Sequence, residues 1–162
     1  MPSFDMVAKV EMSEFNNAVN QAKKEITTRY DFKGAKVSIE LKDSIVELVA
    51  PDEYKIGAML DILRTKMAKR NIGMNSLTPQ EVKPSGHQML KQTLTISQGI
   101  DKEKGKLINK LIKQFGKKVT SSYLDEKIRI SGKKIDDLQE IFQMIKQHKD
   151  VNLDMQMENM KS

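Results

Sequence analysis

The order of the secondary structure elements predicted along this chain repeats once, and that repeat constrains the fold more than any single residue does. In each half, apolar residues recur first at every second position and later at three- and four-residue spacing. Alternation is typical of strands with one buried face, and the longer spacing is typical of amphipathic helices. Each half is therefore predicted to run strand, helix, strand, strand, helix, strand.

The first half carries clear stop signals between these elements. We predict a strand, a helix, a hairpin and a second helix at residues 4–10, 13–29, 37–50 and 51–70. Gly73 follows the last helix, and the polar segment 71–87 predicts a junction between two domains. A short edge strand at 81–83 completes the first unit.

The second half repeats the pattern with different residues. We predict a strand, a helix, a hairpin, a helix and a closing strand at residues 90–96, 101–116, 119–131, 135–145 and 151–157. Short connections in this order close most naturally as a four-stranded antiparallel sheet with both helices on one face. The predicted fold class is therefore α+β, with two tandem ferredoxin-like domains at residues 1–86 and 87–162.

Such a sheet leaves one face open, and RNA-recognition domains of this topology stack bases there on aromatic side chains. The central strands, 45–49 and 127–130, contain no aromatic residue, and aromatic residues make up only 5% of the chain. Base stacking of the usual kind on the open faces is therefore not expected.

Charge and composition favour an anionic partner without specifying it. The formal net charge is +6, which encourages phosphate-bearing partners, although mildly basic proteins are also common for reasons of solubility alone. The absence of cysteine excludes disulfides, thiolate metal sites and thiol nucleophiles. No apolar run is long enough for a membrane helix, so we expect a cytoplasmic protein with no membrane partner.

The third predicted helix carries a row of lysines opposite its apolar face. Between Asp101 and Lys118 there are seven lysines and two acidic residues. The row follows helical spacing at Lys102, Lys106, Lys110, Lys113 and Lys117. One interpretation is a surface that positions phosphates, and the other is an ordinary solvated helix face.

A second basic cluster ends the second predicted helix. It consists of Arg64, Lys66, Lys69 and Arg70. Cations are stabilised at helix C-termini in any case, so this cluster is a weaker indication of ligand binding.

The segment after the first helix has the least generic composition in the chain. It reads Arg29, Tyr30, Asp31, Phe32, Lys33 and Gly34. These residue types can stack a base and pair with a phosphate or a guanine edge. Alternatively, the two rings close the end of the core while Arg29 and Asp31 pair with each other.

No pattern for catalysis or for a cofactor is present. The segment 99–106 resembles a phosphate-binding loop but has five residues between its glycines, and Leu107 stands where Ser or Thr is required. The two histidines have no partner at metal-ligand spacing. We therefore expect neither an enzyme nor a bound metal or cofactor.

Several motifs in order along the whole chain resemble the YajQ family of small bacterial proteins. They are Met1-Pro2-Ser3-Phe4-Asp5, Thr28-Arg29-Tyr30-Asp31-Phe32-Lys33-Gly34, Leu60-Asp61-Ile62-Leu63-Arg64, Lys69-Arg70, Gln98-Gly99-Ile100 and Ile130-Ser131-Gly132-Lys133-Lys134 with Asp136-Asp137-Leu138-Gln139. The family pattern commonly has Phe where this chain has Tyr30, which keeps the ring and adds a hydroxyl.

The resemblance implies two ferredoxin-like domains and a nucleotide-binding role in the cytoplasm. Members of the family have been linked to nucleic acid or guanine nucleotides such as GTP, and some to sensing of cyclic di-GMP with effects on transcription. It leaves open whether the first strand belongs to the first sheet or to the second.

We therefore expect a non-enzymatic protein that binds a nucleotide, RNA or DNA mainly through phosphate contacts. The expected binding residues are Arg29, Tyr30, Asp31, Phe32, Lys33, Arg64, Lys69, Arg70, Lys102, Lys106, Lys110 and Lys113. The alternative is a protein-interaction adaptor or homodimerisation module that uses its open sheet faces.

Overall fold

The computed structural model describes all 162 residues and contains four α-helices and two antiparallel sheets. The chain divides into two compact units. We call Val10–Ser97 the continuous unit, and Met1–Lys9 together with Gln98–Ser162 the split unit. Each unit has a four-stranded path with two helices on one face, which confirms the predicted α+β class with two ferredoxin-like units.

The continuous unit contains two helices and most of the short strands. Its elements are α1 (Met12–Thr28), β2 (Ser38–Lys42), β3 (Ile45–Ala50), α2 (Glu53–Lys69), β4 (Leu77–Pro79), β5 (Lys83–Pro84) and β6 (Leu90–Ile96). The strand order is β2-β3-β6-β4, with β5 paired to β6. Alternation puts Val46, Leu48 and Leu94 on the face that both helices cover.

The split unit begins with the first strand of the chain and resumes after the continuous unit. Its elements are β1 (Ser3–Val7), α3 (Lys102–Phe115), β7 (Val119–Leu124), β8 (Lys127–Gly132), α4 (Ile135–Gln147) and β9 (Gln156–Lys161). The strand order is β7-β8-β1-β9. Phe4 and Met6 of β1 are fully buried, and they pack in one core with Ile108 of α3 and Phe142 of α4.

This division differs from the predicted boundaries, 1–86 and 87–162, at two strands. β1 pairs with β8 and β9 in the split unit, which is the alternative that the sequence left open. β6, which was predicted to begin the second domain, pairs with β3 and β4 in the continuous unit. Both strands alternate apolar and polar residues. This pattern is compatible with a central position in either of the two sheets, so it does not specify which sheet each strand joins.

The last strand also differs from its predicted position. Alternating apolar residues predicted it at 151–157, whereas β9 covers Gln156–Lys161. Val151 and Met155 are buried in the core of the split unit without belonging to a strand. Burial alone therefore explains the alternation in that segment.

Candidate functional site

The lysine-rich helix α3 is well specified by its ends and by its buried face. The side chain of Asp101 caps its first turn by accepting a hydrogen bond from the backbone N–H of Lys104 at 2.8 Å. Gly116 ends the helix in the left-handed conformation, with φ of 81°. Ile108 and Ile112 are buried against the sheet. The opposite side of the helix is thereby directed to solvent.

Four lysines on that outward side have no acidic partner. Lys102, Lys106, Lys110 and Lys113 are all exposed, and none of them has a carboxylate oxygen within 4.0 Å. We call these four residues the lysine face. The fifth lysine of the predicted row, Lys117, lies 3.8 Å from Asp137 and 3.9 Å from Glu140 and is partly neutralised.

Part of the lysine face surrounds a shallow hollow of about 430 Å³. The hollow is lined by Lys106, Asn109, Lys110, Lys113 and Gln114. Amide side chains beside ammonium groups add neutral hydrogen-bonding capacity to positive charge. This arrangement is chemically suited to oxygen atoms of a phosphate backbone.

Two of the four residues in the second basic cluster, at the end of α2, are paired with acidic residues of the continuous unit. Lys66 Nζ lies 2.9 Å from Glu25 Oε1, and Arg70 Nη1 lies 3.0 Å from Glu14 Oε2. Donation from Lys66 is the main reason why the pKa of Glu25 lies below its ordinary value. Arg64 and Lys69 form no ion pair, so they are the part of this cluster left for a ligand.

In the segment after α1, a short 3₁₀ turn at Tyr30–Phe32 pairs the charges locally. Arg29 donates from Nε and Nη2 to the two carboxylate oxygens of Asp31, both at 2.9 Å. These bonds keep the pKa of Asp31 below its ordinary value. Glu25 lies 3.6 Å from the Arg29 guanidinium on the other side. The positive charge of Arg29 is therefore largely compensated.

The two rings of this segment have different environments. Phe32 is buried in the core of the continuous unit, with the Arg29 guanidinium 5.8 Å from its ring centre. Tyr30 is 90% exposed and packs against no core cluster. Lys33, with Gly34 beside it, lines a hollow of about 460 Å³ between α1 and β2.

The predicted binding residues thus fall into two groups. Lys102, Lys106, Lys110 and Lys113 lie together on one helix of the split unit, while the others belong to the continuous unit. Within the continuous unit, Glu25 contacts both Arg29 and Lys66, so the end of α1 and the end of α2 share one network of charges.

One cluster was missed by the sequence predictions, and it lies on the sheet of the split unit. Asp5 of β1 faces Arg129 of β8 and is also bonded by Asn159 of β9. Donation from Arg129 lowers the pKa of Asp5 below its ordinary value. The only signal in the sequence is a charged residue between apolar ones in two strands, Phe4-Asp5-Met6 and Ile128-Arg129-Ile130.

Two kinds of feature are absent from the structure. No three side chains among His, Asp and Glu lie close enough together to hold a metal ion. None of the helices combines the length and the apolar composition that crossing a membrane requires.

Comparison with known proteins adds the family. A model of the family described as "Nucleotide-binding protein YajQ-like" matches residues 2–161. A protein of Syntrophotalea carbinolica is 48% identical over 162 residues and covers 100% of both chains. A relative from Trichlorobacter lovleyi is 46% identical, with 98% of both chains covered. A relative from Desulfitobacterium hafniense is 43% identical, with 97% of this chain and 96% of the relative covered.

Each of these three relatives carries the name "Nucleotide-binding protein". The matches extend from the first strand to the last, so they include both units and not one of them alone. This chain therefore belongs to the YajQ family of nucleotide-binding proteins.

Proposed function

We propose that this protein binds nucleotides or nucleic acid in the cytoplasm through phosphate contacts, and that it catalyses no reaction. The observation that carries the proposal is the lysine face, where four ammonium groups are exposed without acidic partners. Like charges at this spacing repel one another unless a partner or salt neutralises them. An anionic ligand would remove that repulsion on binding.

The length of the lysine face favours a ligand with more than one phosphate. From Lys102 to Lys113 the helix rises by about 16 Å. Phosphates of a nucleic acid strand follow one another at a few ångströms, so several can reach these ammonium groups. Cyclic di-GMP, GTP and single-stranded RNA are therefore the ligands to compare, and ammonium contacts to phosphate do not read base sequence.

The decisive experiment measures the affinity of the full chain for a single-stranded RNA oligonucleotide and for cyclic di-GMP at several salt concentrations. The double variant Lys106→Glu/Lys110→Glu should weaken binding and lower the slope of log affinity against log salt by roughly two for the RNA. Lys133→Glu/Lys161→Glu is the matched control, because it makes the same charge change at exposed positions outside α3. Equal affinities in both double variants would refute the proposal.

The alternative function, a protein-interaction adaptor that uses the open sheet faces, receives less support from the outward side chains. In the continuous unit, Glu47 on the open face lies 3.0 Å from Lys42 and 3.7 Å from Lys91. Protein interfaces are depleted of charged residues at their centres. A stable dimer in solution, with no nucleic acid retained during purification, would favour the adaptor over the nucleotide-binding proposal.

A further inference from the structure

The sheet of the split unit carries a buried carboxylate on the face opposite its helices. Phe4 and Met6 of β1 point into the core, so Asp5 between them points to the other face. Asp5 is nevertheless only 3% exposed. A carboxylate so far removed from water needs donors from the protein itself.

Asp5 receives those donors from two neighbouring strands. Arg129 Nε lies 2.8 Å from Oδ1, and Arg129 Nη2 lies 3.3 Å from Oδ2. Asn159 Nδ2 donates to Oδ2 at 2.9 Å, from a residue with φ of 55° beside an irregular register between β1 and β9. Both carboxylate oxygens of Asp5 therefore accept hydrogen bonds. These bonds also hold the Arg129 guanidinium in one orientation.

The guanidinium keeps donors that the carboxylate does not use. Arginine has five N–H groups in a rigid plane, and Asp5 occupies one edge of that plane. The edge formed by Nη1 and Nη2 is free, and the Arg129 side chain is 58% exposed. A free edge of this kind matches two oxygens of a phosphate in bidentate geometry.

The neighbours of this edge complete a small anion-binding hollow. Lys127 lies two residues before Arg129 on the same strand face and forms no ion pair, and Ser122 of β7 is the register partner of Arg129. The hollow measures about 220 Å³, and its remaining lining residues are Asp5, whose carboxylate is bonded to Arg129 and Asn159, and Leu124, Asp125 and Asn159. This volume holds several water molecules and hence one phosphate group.

We propose that Arg129, Lys127 and Ser122 bind one phosphate group of a nucleotide on the open face of the split-unit sheet, with Asp5 as the positioning residue. The inference rests on the proposed nucleotide-binding function and locates a second contact for it. The lysine face lies on α3, which packs against the opposite face of the same sheet, so the two surfaces can be tested independently.

The test is a titration of the ¹⁵N-labelled full chain followed by NMR, with inorganic phosphate, guanosine 5′-monophosphate and guanosine as separate probes. We expect saturable shifts of the Arg129 Nε–H signal and of the Lys127 and Ser122 amides with the first two probes and none with guanosine. The monophosphate should bind more tightly than inorganic phosphate. Equal affinity would overturn the assignment to a nucleotide, and unmoved signals would overturn the site.

Substitutions distinguish the effect of the paired guanidinium donors from the effect of positive charge alone. Arg129→Lys keeps the charge but loses the two parallel N–H donors, and it should weaken binding of the monophosphate roughly tenfold. Lys127→Gln should weaken binding, while Lys133→Gln, at an exposed position outside the hollow, should not. If Arg129→Lys fails to fold, Lys127→Gln and Ser122→Ala still test the site, because they leave the pair of Asp5 and Arg129 intact. Unchanged affinity in both would refute the proposal.

The same titration distinguishes this inference from the proposed function. Lys106→Glu/Lys110→Glu should leave the shifts at Arg129 unchanged while it weakens binding of RNA. If that variant loses both the shifts at Arg129 and the binding of RNA, the two surfaces are not separate sites, and the inference is overturned.

Discussion

Asp5 and Arg129 are 124 residues apart in the chain, yet Arg129 Nε donates to Asp5 Oδ1 at 2.8 Å across adjacent strands. Asp5 is buried and Arg129 is largely exposed. The pair joins the first strand of the chain to a sheet whose other strands all follow residue 118. It is both a structural link in the split unit and the basis of the proposed phosphate site.

This pair predicts how stability depends on pH. Arg129 lowers the pKa of Asp5 in the folded state below the ordinary value of 3.8, so ionised Asp5 stabilises the fold at pH values above it. That contribution should be lost as the pH falls below about 4 through the lowered pKa. Urea unfolding followed at the Ile128 and Ile130 amides measures this effect. As the pH is lowered from about 5 to the lowest value at which the wild type still folds, the free energy of unfolding of Asp5→Asn should fall less than that of the wild type. Parallel curves would contradict this assignment.

Two glycines inside helices predict opposite effects of the same substitution. A Cβ added at Gly57 of α2 would meet no neighbouring atom within 4 Å, so Gly57→Ala should stabilise the protein by about 0.5–1 kcal/mol through helix propensity.

At Gly105 of α3, in contrast to Gly57, an added Cβ would meet a neighbouring side chain. A Cβ there would lie 2.7 Å from Cδ2 of Tyr123, whose hydroxyl donates to the Ile100 carbonyl at 2.6 Å and restrains the ring. Gly105→Ala should therefore destabilise the protein by about 1–3 kcal/mol. Thermal unfolding of both variants measures the difference, and stabilisation by both would show that the ring moves freely.

The division into units predicts which fragments fold. Residues 10–97 contain every strand of one sheet and should fold alone, as judged by cooperative unfolding and dispersed amide signals. Residues 87–162 contain β6 and lack β1, the strand between β8 and β9, so they should not fold natively.

A rearranged chain provides the positive control for that fragment. Ser3 is the register partner of Lys161, so a short Gly-rich loop can join Ser162 to Met1 as a hairpin. A chain of residues 98–162, this loop and residues 1–9 should fold cooperatively. Folding of 87–162 without the first strand would contradict the observed sheet order.

The charges around the segment after α1 predict a ranking of the binding residues. Arg29 is compensated by Asp31 and Glu25, whereas Lys110 has no acidic partner. Lys110→Gln should therefore reduce the salt slope of RNA binding by about one, and Arg29→Gln should leave it unchanged. A larger effect at Arg29 would mean that a ligand displaces Asp31 from the guanidinium.

Local patterns predicted most elements because their causes are local. The hairpin strand at 45–50 matches β3, and the helix starting at Asp101 is capped by that side chain. The lysine face follows from the same reasoning, because helical spacing puts its residues opposite Ile108 and Ile112. The caps and faces of helices depend on residues within a few positions of one another.

Pairing of charges could be predicted only where the partners are near in sequence. Arg29 and Asp31 are two residues apart, and their mutual pairing was one of the two interpretations of that segment. The pairs of Lys66 with Glu25 and of Arg70 with Glu14 join two helices. They depend on how α1 packs against α2, so no spacing in the sequence reveals which lysines and arginines remain free.

The amino-acid sequence by itself determined the helices, most of the strands, their buried faces and the duplicated order that leads to two ferredoxin-like units, although it misplaced the last strand. Only the tertiary structure decided that β1 completes the split unit and β6 the continuous one, and hence that Asp5 meets Arg129. The physical reason is that alternation specifies which face of a strand is buried but not which strand lies beside it. Partner choice depends on contacts between residues far apart in the chain, and here those contacts create the Asp5–Arg129 pair.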